Sequence, residues 1–138
     1  MPPELAEVRR WMQKAAHDRL TAEAALAQDP PITDTAAFHA QQAVEKLLKA
    51  YLTWRQHEFE KTHDLRALVE LCADHDAAFL DERDAVEPLT AYAIRFRYPG
   101  PADPTAEEVR AALAVVEEVW QFVSGRLPPE VTDEADEA

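Results

Sequence analysis

The sequence predicts an all-α protein: an antiparallel, up-and-down bundle of about five helices, four long and one short. Three observations carry this. Apolar residues recur every three or four positions in each long segment. Proline-rich breaks separate those segments, at Asp29-Pro30-Pro31 and at Pro99-Gly100-Pro101. Alanine, Leu, Glu and Arg are abundant, and no segment shows the strict alternation of strands.

The first helix is expected from about Pro3 to Gln28. Leu5, Val8, Met12, Ala15, Ala22 and Leu26 share one face, and Pro3 suits a first turn. The second is expected from about Asp34 to Gln56, with Thr33 or Asp34 as N-cap and Ala40, Val44, Leu47, Tyr51 and Trp54 as its core stripe. A shorter third helix follows Thr62, a cap candidate, through Leu65, Leu68, Val69 and Cys72. The fourth covers about Leu80 to Phe96, with Val86, Leu89, Tyr92, Ala93 and Phe96 in register. Pro88 is placed to bend it or to begin a fresh helix near Glu87. The fifth opens at Thr105-Ala106-Glu107-Glu108, the spacing of a capping box. Val109, Leu113, Val116, Trp120 and Val123 follow, and Gly125 suits its end. Residues 1–127 are therefore expected to form the bundle. Residues 128–138, with two prolines, five acids and no base, read as a solvated, disordered tail.

Composition removes several kinds of chemistry. Two glycines cannot build a Gly-rich phosphate loop. The one serine, Ser124, lies in no nucleophile elbow. One cysteine excludes an intrachain disulfide or a multi-cysteine zinc site, and Cys72 reads as a small buried hydrophobe. No metal and no cofactor are expected. The chain shows no membrane span and no secretory signal at its start, so a cytoplasmic protein is expected.

The formal charge of −13 repels nucleic acid at first sight. Its distribution is uneven. Residues 64–88 hold eight acids against Arg66 and Arg83. Residues 35–63 hold Lys46, Lys49, Arg55 and Lys61 against three acids, and residues 89–101 hold Arg95 and Arg97 with no acid. The second helix and the Arg95-Phe96-Arg97-Tyr98-Pro99 segment are thus the least acidic part of the chain. On the second helix, Phe38, Gln42, Glu45 and Lys49 fall in one narrow stripe opposite the core, bordered by Lys46. Either the stripe packs on a partner chain, or Lys46 and Lys49 offer charge to a phosphate. The i, i+4 pair Glu45–Lys49 contributes only ~0.2–0.5 kcal/mol to an isolated helix, too little to account for the stripe.

The run from His39 through Gln42, Glu45-Lys46 and Lys49-Ala50 resembles the signature of HEPN domains. Lys61-Thr62-His63-Asp64-Leu65 and Arg97-Tyr98-Pro99 resemble further segments of that family in order and spacing. The resemblance covers about residues 4–127. It implies a helical bundle that pairs into a homodimer and acts with a minimal nucleotidyltransferase in a toxin–antitoxin-type module. Many members are metal-independent ribonucleases using an Arg followed four to six residues later by His. This chain departs from that pattern, because its last histidine is His75.

The expectation is therefore a binding module rather than a nuclease. Nucleotide or RNA phosphate would meet Lys46, Lys49, Arg95, Arg97 and Tyr98, and Phe38, Gln42, Glu45 and Lys49 would form the dimer or partner face. The rival is a ribonuclease in which Arg97 works with His63, or with a residue across the dimer. Such a pair is chemically sensible, since His moves the proton of a ribose hydroxyl and Arg steadies charge on the phosphate. A purely structural interaction module is the third reading.

Overall fold

The structure, a computed structural model, describes residues 1–95 and 103–132, with Ile94 and Arg95 described by their backbone alone. Among the described residues there are helices and turns and no strand. The α-helices are α1 (Pro3–Leu26), α2 (Thr33–Trp54), α3 (Leu65–Ala73), α4 (Arg83–Val86), α5 (Tyr92–Arg95) and α6 (Ala106–Ser124). No helix among them is long and apolar enough to cross a membrane.

Helix α2 is the axis of the molecule. It packs against α1 over most of its length and also touches α6, α3 and α5. That explains its composition. Ala36, Ala37, Ala40, Ala43, Val44, Leu47, Leu48, Ala50, Tyr51 and Leu52 are all buried, so the apolar arc is wider than the stripe expected. Trp54, expected in the core, is half-buried at the rim. Of the expected α1 stripe, Val8, Met12, Ala15 and Ala22 are inaccessible, while Leu5 and Leu26 are half-buried against the edge of the core. Helix α6 contributes Val109, Val116, Trp120 and Val123. Cys72 is buried, and burial pushes its thiol well above the usual range.

The helix ends differ in how far local sequence determined them. The Thr105 capping box forms as expected: Glu108 N donates to Thr105 Oγ1 at 3.0 Å, and Thr105 N donates to Glu108 Oε1 at 3.0 Å. At α2 neither Thr33 nor Asp34 is the cap; Ile32 holds that place without a side-chain bond. At α3 the cap is Asp64, whose carboxylate accepts from Arg66 N and Ala67 N. Thr62 instead accepts from Asp64 N, two residues on. A carboxylate at the N-terminal end of a helix also meets favourable dipole charge.

The expected fourth helix is not continuous. Residues Ala77–Glu82 and Glu87–Leu89 are 3₁₀ turns on either side of α4, and α5 follows a turn. Pro88 has no amide to donate, and Asp76 starts the segment by accepting from Ala78 N. The tighter winding places residues three apart on one side. Phe79, Glu82, Val86, Leu89 and Tyr92 are accordingly buried. Glu82 thus lies on an apolar face because of the winding, and its Oε2 has no hydrogen-bond partner. Burial, the neighbouring carboxyl of Glu118 and the charge of Asp81 push its carboxyl up to about 7. Phe96, expected in the same register, lies outside the described residues.

The packed chain extends past residue 127. Residues 129–132 form a further helical turn, Val131 N donates to Pro128 O at 3.1 Å, and Val131 is inaccessible. The expected tail therefore begins too early: Val131 is an apolar residue with a core site within reach. The remainder of the expected tail lies outside the described residues.

Helix α2 ends in a Schellman motif. His57 N donates to Leu52 O at 2.9 Å, and Gln56 N to Thr53 O at 3.0 Å. Gln56 takes φ 55°, the left-handed conformation that favours glycine. The loop that follows is held by His57, whose Nδ1 lies 2.6 Å from Nε2 of His75.

Two outcomes are expected. Gln56→Gly should raise stability by about 1 kcal/mol, because the exposed side chain gives up little packing while the strain is relieved; urea denaturation measures it. Glu82 has a raised folded-state pKa, so its contribution to stability is most favourable below about pH 4.5. It declines as pH rises through about 7. Glu82→Gln should therefore gain on the order of 1–2 kcal/mol at pH 8 and little at pH 4, as read by denaturation at the two pH values.

Candidate functional site

The polar stripe of α2 is not a solvated face. Glu45 is 4% exposed, Lys49 7%, and Gln41 fully buried. The cause is the segment after α2. The Schellman turn reverses the chain, and residues 57–64 run back beside the helix. Phe59 thereby reaches Lys49, and His63 reaches Glu45, eighteen positions away in sequence. Trp11 of α1 closes the other side, edge-to-face with Phe59 at 6.3 Å between ring centroids.

Glu45 is the centre of the cluster. Its Oε2 accepts from Lys49 Nζ at 3.0 Å. Its Oε1 lies 2.7 Å from His63 Nδ1 and accepts from Gln41 Nε2 at 3.1 Å. Gln41 Nε2 also donates to the carbonyl of His63 at 3.3 Å, and Gln42 Nε2 donates to Gln41 Oε1 at 2.6 Å. The ammonium of Lys49 lies 5.9 Å from the Trp11 ring and 5.7 Å from Phe59, within range of a favourable cation–π contact. A buried carboxylate is costly unless paired and hydrogen-bonded, and this one has three donors. His63 remains 55% exposed at its side chain. With Nδ1 turned to Glu45, its Nε2 is the nitrogen left for other partners.

The second lysine is also paired. Lys46 Nζ donates to Asp18 Oδ2, and His39 Nδ1 lies 2.8 Å from Asp18 Oδ1. Asp18 is buried at 7% exposure and joins α1 to α2. Both lysines therefore enter ion pairs instead of facing solvent unpaired.

The other expected residues are placed as follows. Phe38 and Gln42 are half-buried. The backbone of Arg95 ends α5, which packs on α2; its side chain, and all of Arg97 and Tyr98, lie outside the described residues. Thr90 Oγ1 accepts from Leu65 N at 3.3 Å, so the approach to α5 lies beside the residue two after His63. Among the described residues no group of three or more His, Cys, Asp or Glu side chains is arranged to hold a metal. Grooves rimmed by Glu4, Glu7 and Glu58, or by Glu58, Glu60 and Glu70, flank Phe59. Their charge suits an anion poorly.

Sequence reasoning missed Asp18, His39, Gln41, Trp11 and Phe59. One signal was legible for Asp18. It stands three residues after Ala15 and four before Ala22, on the apolar stripe of α1, where an acid needs a partner. Nothing local marked Phe59, because its role depends on the direction the loop takes.

Removing one member of the buried pair should be costly. Glu45→Ala leaves Lys49 buried without a counter-ion and should destabilise by about 3 kcal/mol or more. The double variant Glu45→Leu with Lys49→Met should recover most of that loss, measured by the same denaturation experiment.

Comparison with known proteins shows the family. The HEPN domain family matches residues 8–127. Among solved structures, the crystal structure of TT1696 from Thermus thermophilus is similar, at 30% sequence identity and a TM-score of 0.73, over 87% of this chain and 98% of that one. No curated protein matches the chain. The matched span takes in α2 with its buried Glu45–Lys49 pair, the His63 segment, the whole of α6 and most of α1; the chain belongs to the HEPN domain family.

Proposed function

We propose that this HEPN protein is a nucleotide- or RNA-phosphate-binding module. It works as a homodimer beside a minimal nucleotidyltransferase in a cytoplasmic, toxin–antitoxin-type pair, and it does not cleave RNA. The observation that carries this reading is the pairing of both α2 lysines with buried carboxylates, Lys46 with Asp18 and Lys49 with Glu45. Their charge is balanced within the bundle, so α2 offers no open cationic track for long RNA. Recognition is then confined to a small anion site completed by Arg95, Arg97 and Tyr98. The lack of any histidine after His75 agrees, because Arg97 has no acid–base partner four to six residues downstream.

A second reading is favoured by one specific contact. Glu45 holds His63 by Nδ1 and leaves Nε2 toward solvent, the orientation a proton-transferring histidine needs. In that reading the protein is a metal-independent ribonuclease using His63 with Arg97.

One set of measurements separates them. Millimolar ATP should raise the melting temperature of the wild type and not of Arg97→Ala. RNA should remain intact with either protein, and sedimentation at micromolar concentration should show a dimer. RNA cleavage that disappears in both Arg97→Ala and His63→Ala would instead establish the nuclease. A monomer unresponsive to nucleotide would leave neither binding nor pairing in place.

A further inference from the structure

Helix α1 carries a groove that the buried clusters do not use. Its volume is about 290 Å³, and among the described residues it is lined by Glu7, Arg10, Trp11 and Lys14. These positions follow one another along one side of the helix over two turns. Trp11 is half-buried, and its indole is fixed from within: it meets Phe59 edge-to-face at 6.3 Å and lies 5.9 Å from the ammonium of Lys49. A planar ligand that stacks on this ring has little side-chain freedom left to freeze. Arg10 and Lys14 stand on either side of it, one turn apart and exposed. Arg19, Lys46, Lys49, Arg66 and Arg126 each face a carboxylate. Arg10 and Lys14 enter no ion pair among the described residues, not even with Glu7.

We propose that this groove binds a guanine mononucleotide. The base stacks on Trp11, the phosphate is held by Arg10 and Lys14, and Glu7 accepts hydrogen bonds from the N1–H and N2–H of the base. Each part of the lining narrows the ligand. Two unpaired cations suit an anion, and an indole between them suits a flat ring beside that anion. A carboxylate only accepts, so Glu7 calls for N–H groups on the ring edge. Guanine offers two adjacent donors to its two oxygens, whereas adenine sets one amine beside a ring acceptor. The order along the helix is acid, indole, cations, which is the order of donor edge, base face and phosphate in the nucleotide.

Size and charge limit the ligand to one nucleotide. Small-ligand pockets run from ~300 to ~1,000 Å³, so this groove has room for one base with its sugar and not for several. The formal charge of −13 opposes a ligand with many phosphates. The nearest acids are set on the side of the base: Glu4 and Glu58 rim the neighbouring groove, which shares Glu7 with this one. They hold the phosphate toward Lys14.

The site shares no residue with Arg95, Arg97 and Tyr98, so it stands or falls apart from the reading above. The test is a titration of the full chain with GMP, followed by tryptophan fluorescence and by calorimetry. GMP should quench part of the emission saturably. Trp11→Phe should remove that quench and leave the emission of Trp54 and Trp120. The double variant Arg10→Ala with Lys14→Ala changes only exposed side chains and should weaken GMP binding about tenfold or more. AMP should bind roughly tenfold more weakly than GMP, and Glu7→Gln should narrow that gap. No response to millimolar GMP, a quench that survives Trp11→Phe, equal affinity for GMP and AMP, or unchanged binding in the double variant would overturn the proposal. So would a guanine oligonucleotide that binds more tightly than GMP. GMP binding lost in Arg97→Ala and kept in the double variant would assign the nucleotide to the site of the reading above and remove this one. GMP binding lost only in the double variant, with no response of the wild type to ATP, would keep this groove and remove that reading.

Discussion

A carboxylate inside a helical bundle must be compensated, and the compensation of Glu45 organises much of this molecule. Lys49, one turn along α2, supplies the charge. It does not supply enough hydrogen bonds, so Gln41 and His63 complete the shell. His63 reaches Glu45 only because the chain reverses after α2 and returns beside it. The cluster thus ties three things together: the polar side of α2, the path of residues 57–64, and the start of α3 just after His63. A change at Glu45 acts on all three, which is why its loss differs from that of an ordinary helical i, i+4 pair.

The same logic recurs between α1 and α2. Asp18 occupies a core position and is held by Lys46 and His39. Two buried acids on adjacent helices thus account for both lysines of the second helix, and each acid also orients a histidine by its Nδ1. The two lysines that border one stripe of the helix are therefore neutralised within the fold. The neighbouring grooves are rimmed by acids from the start of α1, from residues 58–60 and from α3. Any anion has to be met locally, at a few donors, and not by a broad field.

The family signature runs through these clusters. His39, Gln41, Gln42, Glu45, Lys46 and Lys49 all lie in the run that carries the resemblance, and every one of them makes a polar contact in the folded chain. Much of that signature therefore reports how the interior is held together. Among the residues of the cluster, His63 keeps a ring nitrogen, Nε2, that Glu45 does not take.

The sequence by itself determined the helical class, the apolar stripes of α1 and α6, the Thr105 capping box and the family. Each of these is local: a period of 3.6 residues, a four-residue cap, or a contiguous run of side chains. The sequence could also be read for Asp18, an acid on an apolar stripe, although its partners could not. The tertiary structure alone decided that the Glu45–Lys49 stripe is interior, that Asp64 and not Thr62 caps α3, and that the expected fourth helix is broken by 3₁₀ turns that bury Glu82. It alone decided that Val131 joins the core. The physical reason is common to these cases. A residue's burial depends on what the chain lays over it, and the return of residues 57–64 along α2 is set by a left-handed Gln56 and by partners far away in sequence. Helical periodicity shows which residues share a face; it does not show how many faces of that helix the rest of the chain will cover.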